Sequence, residues 1–109
     1  MAKFIKGDIV VIPFPFSDLS GSKRRPAYVL TDLGGDDIIL CQITSQIRDD
    51  EFSINLGASD FREGSLPVAS RIRPTRIFTA DKRIIARKAG TVNEDVKKRV
   101  SAMLRQLFD

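Results

Sequence analysis

The chain is expected to fold as a mainly β small barrel with one amphipathic α-helix at its C-terminus. Three observations lead there. Short runs of β-formers recur between turn residues, as in "DIVVIPF" and "PAYVLTD". The stretch "IILCQITSQI" (38–47) passes from continuous to alternating apolarity, with Ile39, Cys41, Ile43 and Ile47 on one side and Gln42, Thr44 and Gln46 on the other. A sustained helical stripe is present only in the final segment.

The elements follow in order. "GDIVVIPFPF" (7–16) is a strand that Pro13 and Pro15 restrict to an edge or a strand end. "FSDLSGSKRR" (16–25) is a polar loop longer than a hairpin turn, and so a candidate functional loop. "PAYVLTD" (26–32) is a second strand, closed by the "LGGDD" turn, and 38–47 is a third. "FSINLG" (52–57) is shorter, and "DFREGS" returns the chain. "LPVASRIRPTRIFTAD" (66–81) holds one or two strands interrupted by Pro74, with Arg71, Arg73 and Thr75 on one side. "DKRIIARKAG" (81–90) reads as a turn and a strand. The helix starts at a Thr91/Glu94 capping box or at Asn93, and its stripe runs through Val92, Val96, Val100, Met103, Leu104, Leu107 and Phe108. Lys97, Lys98 and Arg99 form its solvated face. One domain, 1–109, is expected.

Composition excludes several chemistries. The chain has no histidine and one cysteine, so zinc sites, serine–histidine or cysteine–histidine catalysis and internal disulfides are not expected. Cys41 reads as a small buried residue. No metal or cofactor is called for by any spacing. No segment reads as a signal peptide or membrane span, so a cytoplasmic protein without a membrane partner is expected.

The net charge of +4 is unevenly spread. Residues 1–30 carry five Lys/Arg against two acids, 31–63 two against eight, and 71–88 seven against Asp81 alone. If the two basic segments meet in the fold, they make a surface suited to a phosphate-bearing ligand. Lys23, Arg24 and Arg25 are the densest cluster. Taken alone, Arg25 could equally serve a rim salt bridge to Asp8 or Asp18.

In this order, Lys6-Gly7-Asp8 before a strand, Arg25-Pro26 before "AYVL", "QITSQI", "IRPTRIFTADK" and a terminal helix resemble the MazF/PemK toxins of toxin–antitoxin systems over residues 5–108. The resemblance implies an SH3-like (MazF/PemK/CcdB-like) barrel, a homodimer, a cognate antitoxin, and a metal-independent endoribonuclease that cuts single-stranded RNA. It implies that Arg25 acts at the scissile phosphate, that Thr44 is a second functional position, and that Arg73 matches a catalytic arginine of the PemK branch. Thr75 stands where that branch carries an aspartate, and the branch's histidine has no counterpart.

The residue chemistry is consistent with these roles. Arginine offers a planar fork to phosphate oxygens and is a poor base, so Arg25 suits stabilisation of phosphorane charge, with Arg73 as partner. The Thr44 hydroxyl can orient a phosphate oxygen or the 2′-OH. RNA contacts are expected from Lys23, Arg24, Gln42, Gln46, Arg71, Thr75, Arg76 and Phe16, the last by stacking. Two other readings stay open. One is a CcdB-like gyrase poison, against which stand the absence of tryptophan and the ending "RQLFD". The other is an inactive member that binds RNA or antitoxin.

Overall fold

The computed structural model describes residues 3–14, 23–46 and 50–109. Seven strands, two short 3-10 turns and one helix follow one another. They are β1 (Asp8–Phe14), β2 (Lys23–Asp32), β3 (Asp37–Thr44), β4 (Ile54–Leu56), β5 (Phe61–Gly64), β6 (Ser70–Asp81), β7 (Arg87–Val92) and α1 (Glu94–Phe108). The strands form one antiparallel sheet in the order β4-β6-β3-β2-β1-β7-β5, curled into the half-barrel form of the expected small barrel.

Both faces of the sheet centre are buried, which is why β1–β3 read as nearly unbroken apolar runs. On one face Ile9, Tyr28, Cys41, Ile43, Ile72 and Val92 pack under Val96 and Val100 of α1. On the other, Val10, Ile12, Ala27, Val29, Ile38, Leu40 and Ala80 are covered by Phe4, Phe78, Ile84 and Ile85. Burying Val96 and Val100 contributes about 1.5–3 kcal/mol each. Phe108, at the end of the expected stripe, is 74% exposed.

Three prolines sit where the ladder does not need their N–H. β1 pairs with β7 only over Asp8–Val11, so Pro13 has a neighbour on the β2 side alone. Pro26 precedes the first β2–β3 pair, Ala27 with Gln42. In β6 the register jumps between Arg73, opposite Gln42, and Ile77, opposite Cys41. Pro74, Thr75 and Arg76 are thereby looped out as a wide bulge, and Pro74 does not split the strand.

The structure corrects three boundaries. Lys23, Arg24 and Arg25 belong to β2, paired with Phe14, Pro13 and Ile12, and are not loop residues. "DFREGS" forms a real edge strand, β5, against β7. Its Gly64, at φ +74°, lies against the Ala89 carbonyl where a Cβ would not fit. Helix α1 is capped by Asn93, whose side-chain oxygen accepts the Val96 N–H at 3.0 Å. Thr91 lies in β7 and donates its hydroxyl to Asp8 at 2.8 Å. The Lys6-Gly7-Asp8 opening is therefore a buried tie between β1 and β7. Gly7, at φ +94°, makes the turn, and Asp8 also accepts the Ile5 N–H at 3.0 Å.

Candidate nucleic-acid interface

Register builds the site. Val11 of β1 lies opposite Pro26 of β2 on one side and Arg87 of β7 on the other. Two residues along, Pro13 lies opposite Arg24, and Ser70 of β6 lies opposite Leu56. On this face, beyond the core under α1, an open cleft of about 550 Å³ has Val11, Pro26 and Ile43 for its floor. Leu66, Pro67 and Val68 form one wall, with Ser45 and Ser70 beside them. The Ser70 hydroxyl donates to the Val68 carbonyl at 3.0 Å and ties that wall to the sheet.

The rim is made of Lys23, Arg24, Arg25 and Arg87. All four are exposed and make no ion pair with any described residue. No carboxylate is among the described lining residues. Asp8 does not pair with Arg25: it lies four residues along β1 from Ile12, the partner of Arg25, and the cation beside it is Lys88, at 3.9 Å. Asp18 lies outside the described residues. Among the described residues, the cleft therefore presents a positive rim without a counter-charge around an apolar floor.

Thr44, Arg71 and Arg73 belong to the opposite face. Thr44 lies opposite Arg71, and Gln42 opposite Arg73. Thr44 and Arg71 thus form one cross-strand row, with Gln42 and Arg73 in the next. Ala27, opposite Gln42, is the first β2 residue paired with β3, and Arg25 lies two residues before it, beyond that ladder on the Thr44 side. Thr44 is buried and its Oγ1 accepts the Gln46 N–H at 3.1 Å, which leaves its O–H to donate outward. Arg73 is half-buried, with its Nε enclosed. Thr75 and Arg76 are exposed on the bulge, off the row. Gln46 is exposed just past β3. Phe16 lies outside the described residues.

Arg25 connects the two arrangements: it lines the cleft, and it precedes the β2–β3 ladder on the side where Thr44 ends β3. Sequence reasoning missed Arg87, Ser45 and Ser70. Nothing local separates Arg87 from its neighbour Lys88, yet Lys88 reaches Glu63 at 3.4 Å and Arg87 opens into the cleft. Among the described residues no group of three histidine, cysteine or carboxylate side chains is placed to hold a metal ion.

Residues 5–108 match the family of PemK-like, MazF-like toxins of type II toxin–antitoxin systems. The chain belongs to this family. Among solved structures it is similar to MazF (Form-I) from Deinococcus radiodurans, with 22% identity, a TM-score of 0.77, and coverage of 99% of this chain and 98% of that one. It is similar to the Mycobacterium tuberculosis toxin MazF-mt6, with 16% identity, a TM-score of 0.75 and coverage of 94% and 96%. A mycobacterial endoribonuclease in complex with its cognate antitoxin gives 14% identity, a TM-score of 0.74 and coverage of 99% and 95%. At these identities the likeness is one of fold. Compared by sequence with curated proteins, the chain matches none. No described helix is long and apolar enough to cross a membrane.

Proposed function

We propose that this toxin-family chain is an endoribonuclease that cuts single-stranded RNA by attack of the RNA's own 2′-OH. The observation that carries the reading is the exposed cation cluster at the start of β2, which meets no acid among the described residues and lies near the Thr44 row. In the step, the 2′-oxygen forms a bond to phosphorus and the P–O5′ bond breaks. Solvent water takes the 2′ proton and returns one to the leaving 5′ oxygen, and the products are a 2′,3′-cyclic phosphate and a 5′-hydroxyl.

Arg25 donates its guanidinium fork to the non-bridging oxygens as charge builds on the phosphorane. Thr44 donates its O–H to a phosphate oxygen or holds the 2′-OH. Arg73, one row further along the strands, is the second cation of the site. Lys23, Arg24, Gln42, Gln46, Arg71, Thr75 and Arg76 hold the flanking RNA. The described cleft lining has no carboxylate, so these residues work by electrostatic stabilisation and positioning.

Relatives of this fold include an endoribonuclease bound to its cognate antitoxin and MazE–MazF complexes from Deinococcus radiodurans. They support an antitoxin partner here, and a homodimeric, cytoplasmic toxin is part of the same reading. The test is cleavage of mixed-sequence single-stranded RNA in EDTA, with end-group analysis. Cleavage leaving 5′-hydroxyl ends is expected. Loss of cleavage in EDTA restored by magnesium would overturn the mechanism, and RNA left intact under both conditions would overturn the activity.

A further inference from the structure

We propose that Arg87 is a positioning residue for RNA, holding a phosphate on the far side of a nucleotide whose base lies in the cleft. The proposal rests on the ribonuclease reading above and adds a residue and a subsite to it. Arg87 comes from β7, more than sixty residues from the Lys23–Arg25 cluster in sequence, and joins it through β1. Val11 lies between them. Two strand spacings, about 10 Å, separate the Arg87 backbone from that of Pro26. Cations thus bracket the apolar floor from both sides.

The volume suits one nucleotide. About 550 Å³ falls within the range of small-molecule sites. Val11 and Ile43 are buried and close the bottom of the cleft, while half-buried Pro26, exposed Pro67 and Val68, 56% exposed, offer apolar surface to a base. The Ser45 side chain is exposed within the cleft and within reach of a base edge or a ribose hydroxyl. An apolar floor inside a ring of guanidinium groups matches the two chemistries of single-stranded RNA, base face and phosphate.

An acidic peptide is the competing occupant, and one of its binding modes is closed here. That mode is addition of a strand to a free sheet edge. The cleft floor belongs to β1, β2 and β3, interior strands whose backbones are already paired with one another. A base needs only the surface.

The experiment is equilibrium binding of a fluorescent 2′-O-methyl RNA octamer, which cannot be cleaved, across a salt series. Parent, Arg87→Ala, Arg87→Lys and Lys98→Ala are compared. Lys98 is an exposed cation of α1 outside the cleft, so its loss controls for net charge. Arg87→Ala is expected to weaken binding about tenfold and to lower the slope of log K against log salt by about 0.7, one phosphate contact on a single strand. Arg87→Lys should restore the slope and part of the affinity, because it keeps the charge and loses the fork. Lys98→Ala should behave as the parent.

If Arg87→Ala binds RNA like Lys98→Ala, Arg87 is a solvated charge and the proposal fails while the ribonuclease reading stands. If Arg87→Ala keeps RNA affinity but loses affinity for a labelled peptide of alternating Glu and Leu, the cleft is a peptide groove and the proposal fails. A parent that neither binds nor cuts RNA overturns both.

Discussion

β2 begins with Lys23, Arg24 and Arg25 and ends with Asp32, and its two ends treat charge in opposite ways. At the first end the cations are exposed and meet no described acid. At the second, Asp32 is sealed in. It receives Lys82 Nζ at 2.5 Å, the Phe4 N–H at 2.9 Å and the Gly34 N–H at 2.8 Å. Both side chains of that ion pair are nearly inaccessible, at 2% and 6%. The same strand thus carries a lock at one end and an open charge at the other, about 23 Å apart by strand rise from Arg25 to Asp32. A buried, fully partnered charge holds structure. An exposed cation with no partner costs the fold little to keep, and it is available to a ligand.

If this division is right, the two ends respond to different measurements. The largest effect is expected at the lock. Asp32→Ala leaves Lys82 buried without its counter-charge and frees the Phe4 and Gly34 N–H groups. Urea unfolding should show a loss of about 3–5 kcal/mol, while RNA cleavage per folded molecule stays near the parent value. A loss below 1 kcal/mol would mean that water reaches the pair and that the contrast between the ends is false.

Next in size is the open end. Removing a preorganised donor to transition-state charge costs about 10²–10³-fold in rate. Arg25→Ala should lose single-turnover cleavage to that extent with an unchanged urea midpoint, and Arg25→Lys should recover only part. Folded Arg25→Ala that cuts as fast as the parent would return Arg25 to the status of a surface charge. Lys23→Ala and Arg24→Ala should weaken RNA binding with a shallower salt dependence.

A pH series sharpens the comparison further. The Lys82 ammonium, aided by the two N–H donors, holds the Asp32 carboxyl at about 2, below its ordinary 3.8. Because the folded value is depressed, the carboxylate contributes stability above about pH 4 and loses it as pH falls towards 2. The urea midpoint of the parent should therefore fall across that window. In Asp32→Ala this part of the decline should be missing. Asp81, held at about 2 by Arg83, stays in both proteins and titrates alike.

The smallest effect lies midway along the strand. Tyr28 is fully buried under α1, and its hydroxyl has no hydrogen-bond partner among the described residues. Burial pushes its ionisation well above the ordinary range. A buried polar group without a partner costs about 1–3 kcal/mol, so Tyr28→Phe should raise the Tm by a few degrees without changing cleavage. A lower Tm would show that the hydroxyl contributes to the packing.

Some of this was legible along the chain. Alternation in "IILCQIT" put Thr44 and Gln42 on the face opposite Cys41 and Ile43, and the sheet agrees. Arg71 and Arg73 share a face as the period of two requires, but Thr75 leaves it because the bulge at Pro74 breaks the period. The N-cap was ambiguous between Thr91 and Asn93. Asp8, far away in sequence, claims the threonine hydroxyl and decides it. "DFREGS" has poor strand propensity and becomes β5 through pairing with β7.

The sequence by itself determined the family, the order of strands and helix, and the cation cluster ahead of Pro26. These depend on local patterning, turn residues and motif order, all of which survive in one dimension. It also carried Thr44 and Arg73 as expected site positions. Only the tertiary structure decided which cations are spoken for. Lys82 and Arg87 look alike on paper, five residues apart, yet one is sealed against Asp32 and the other opens into the cleft. The reason is register. Which acid or apolar floor a cation meets depends on the strand pairing beside it, and in a sheet those partners come from β1 and β2, dozens of residues away.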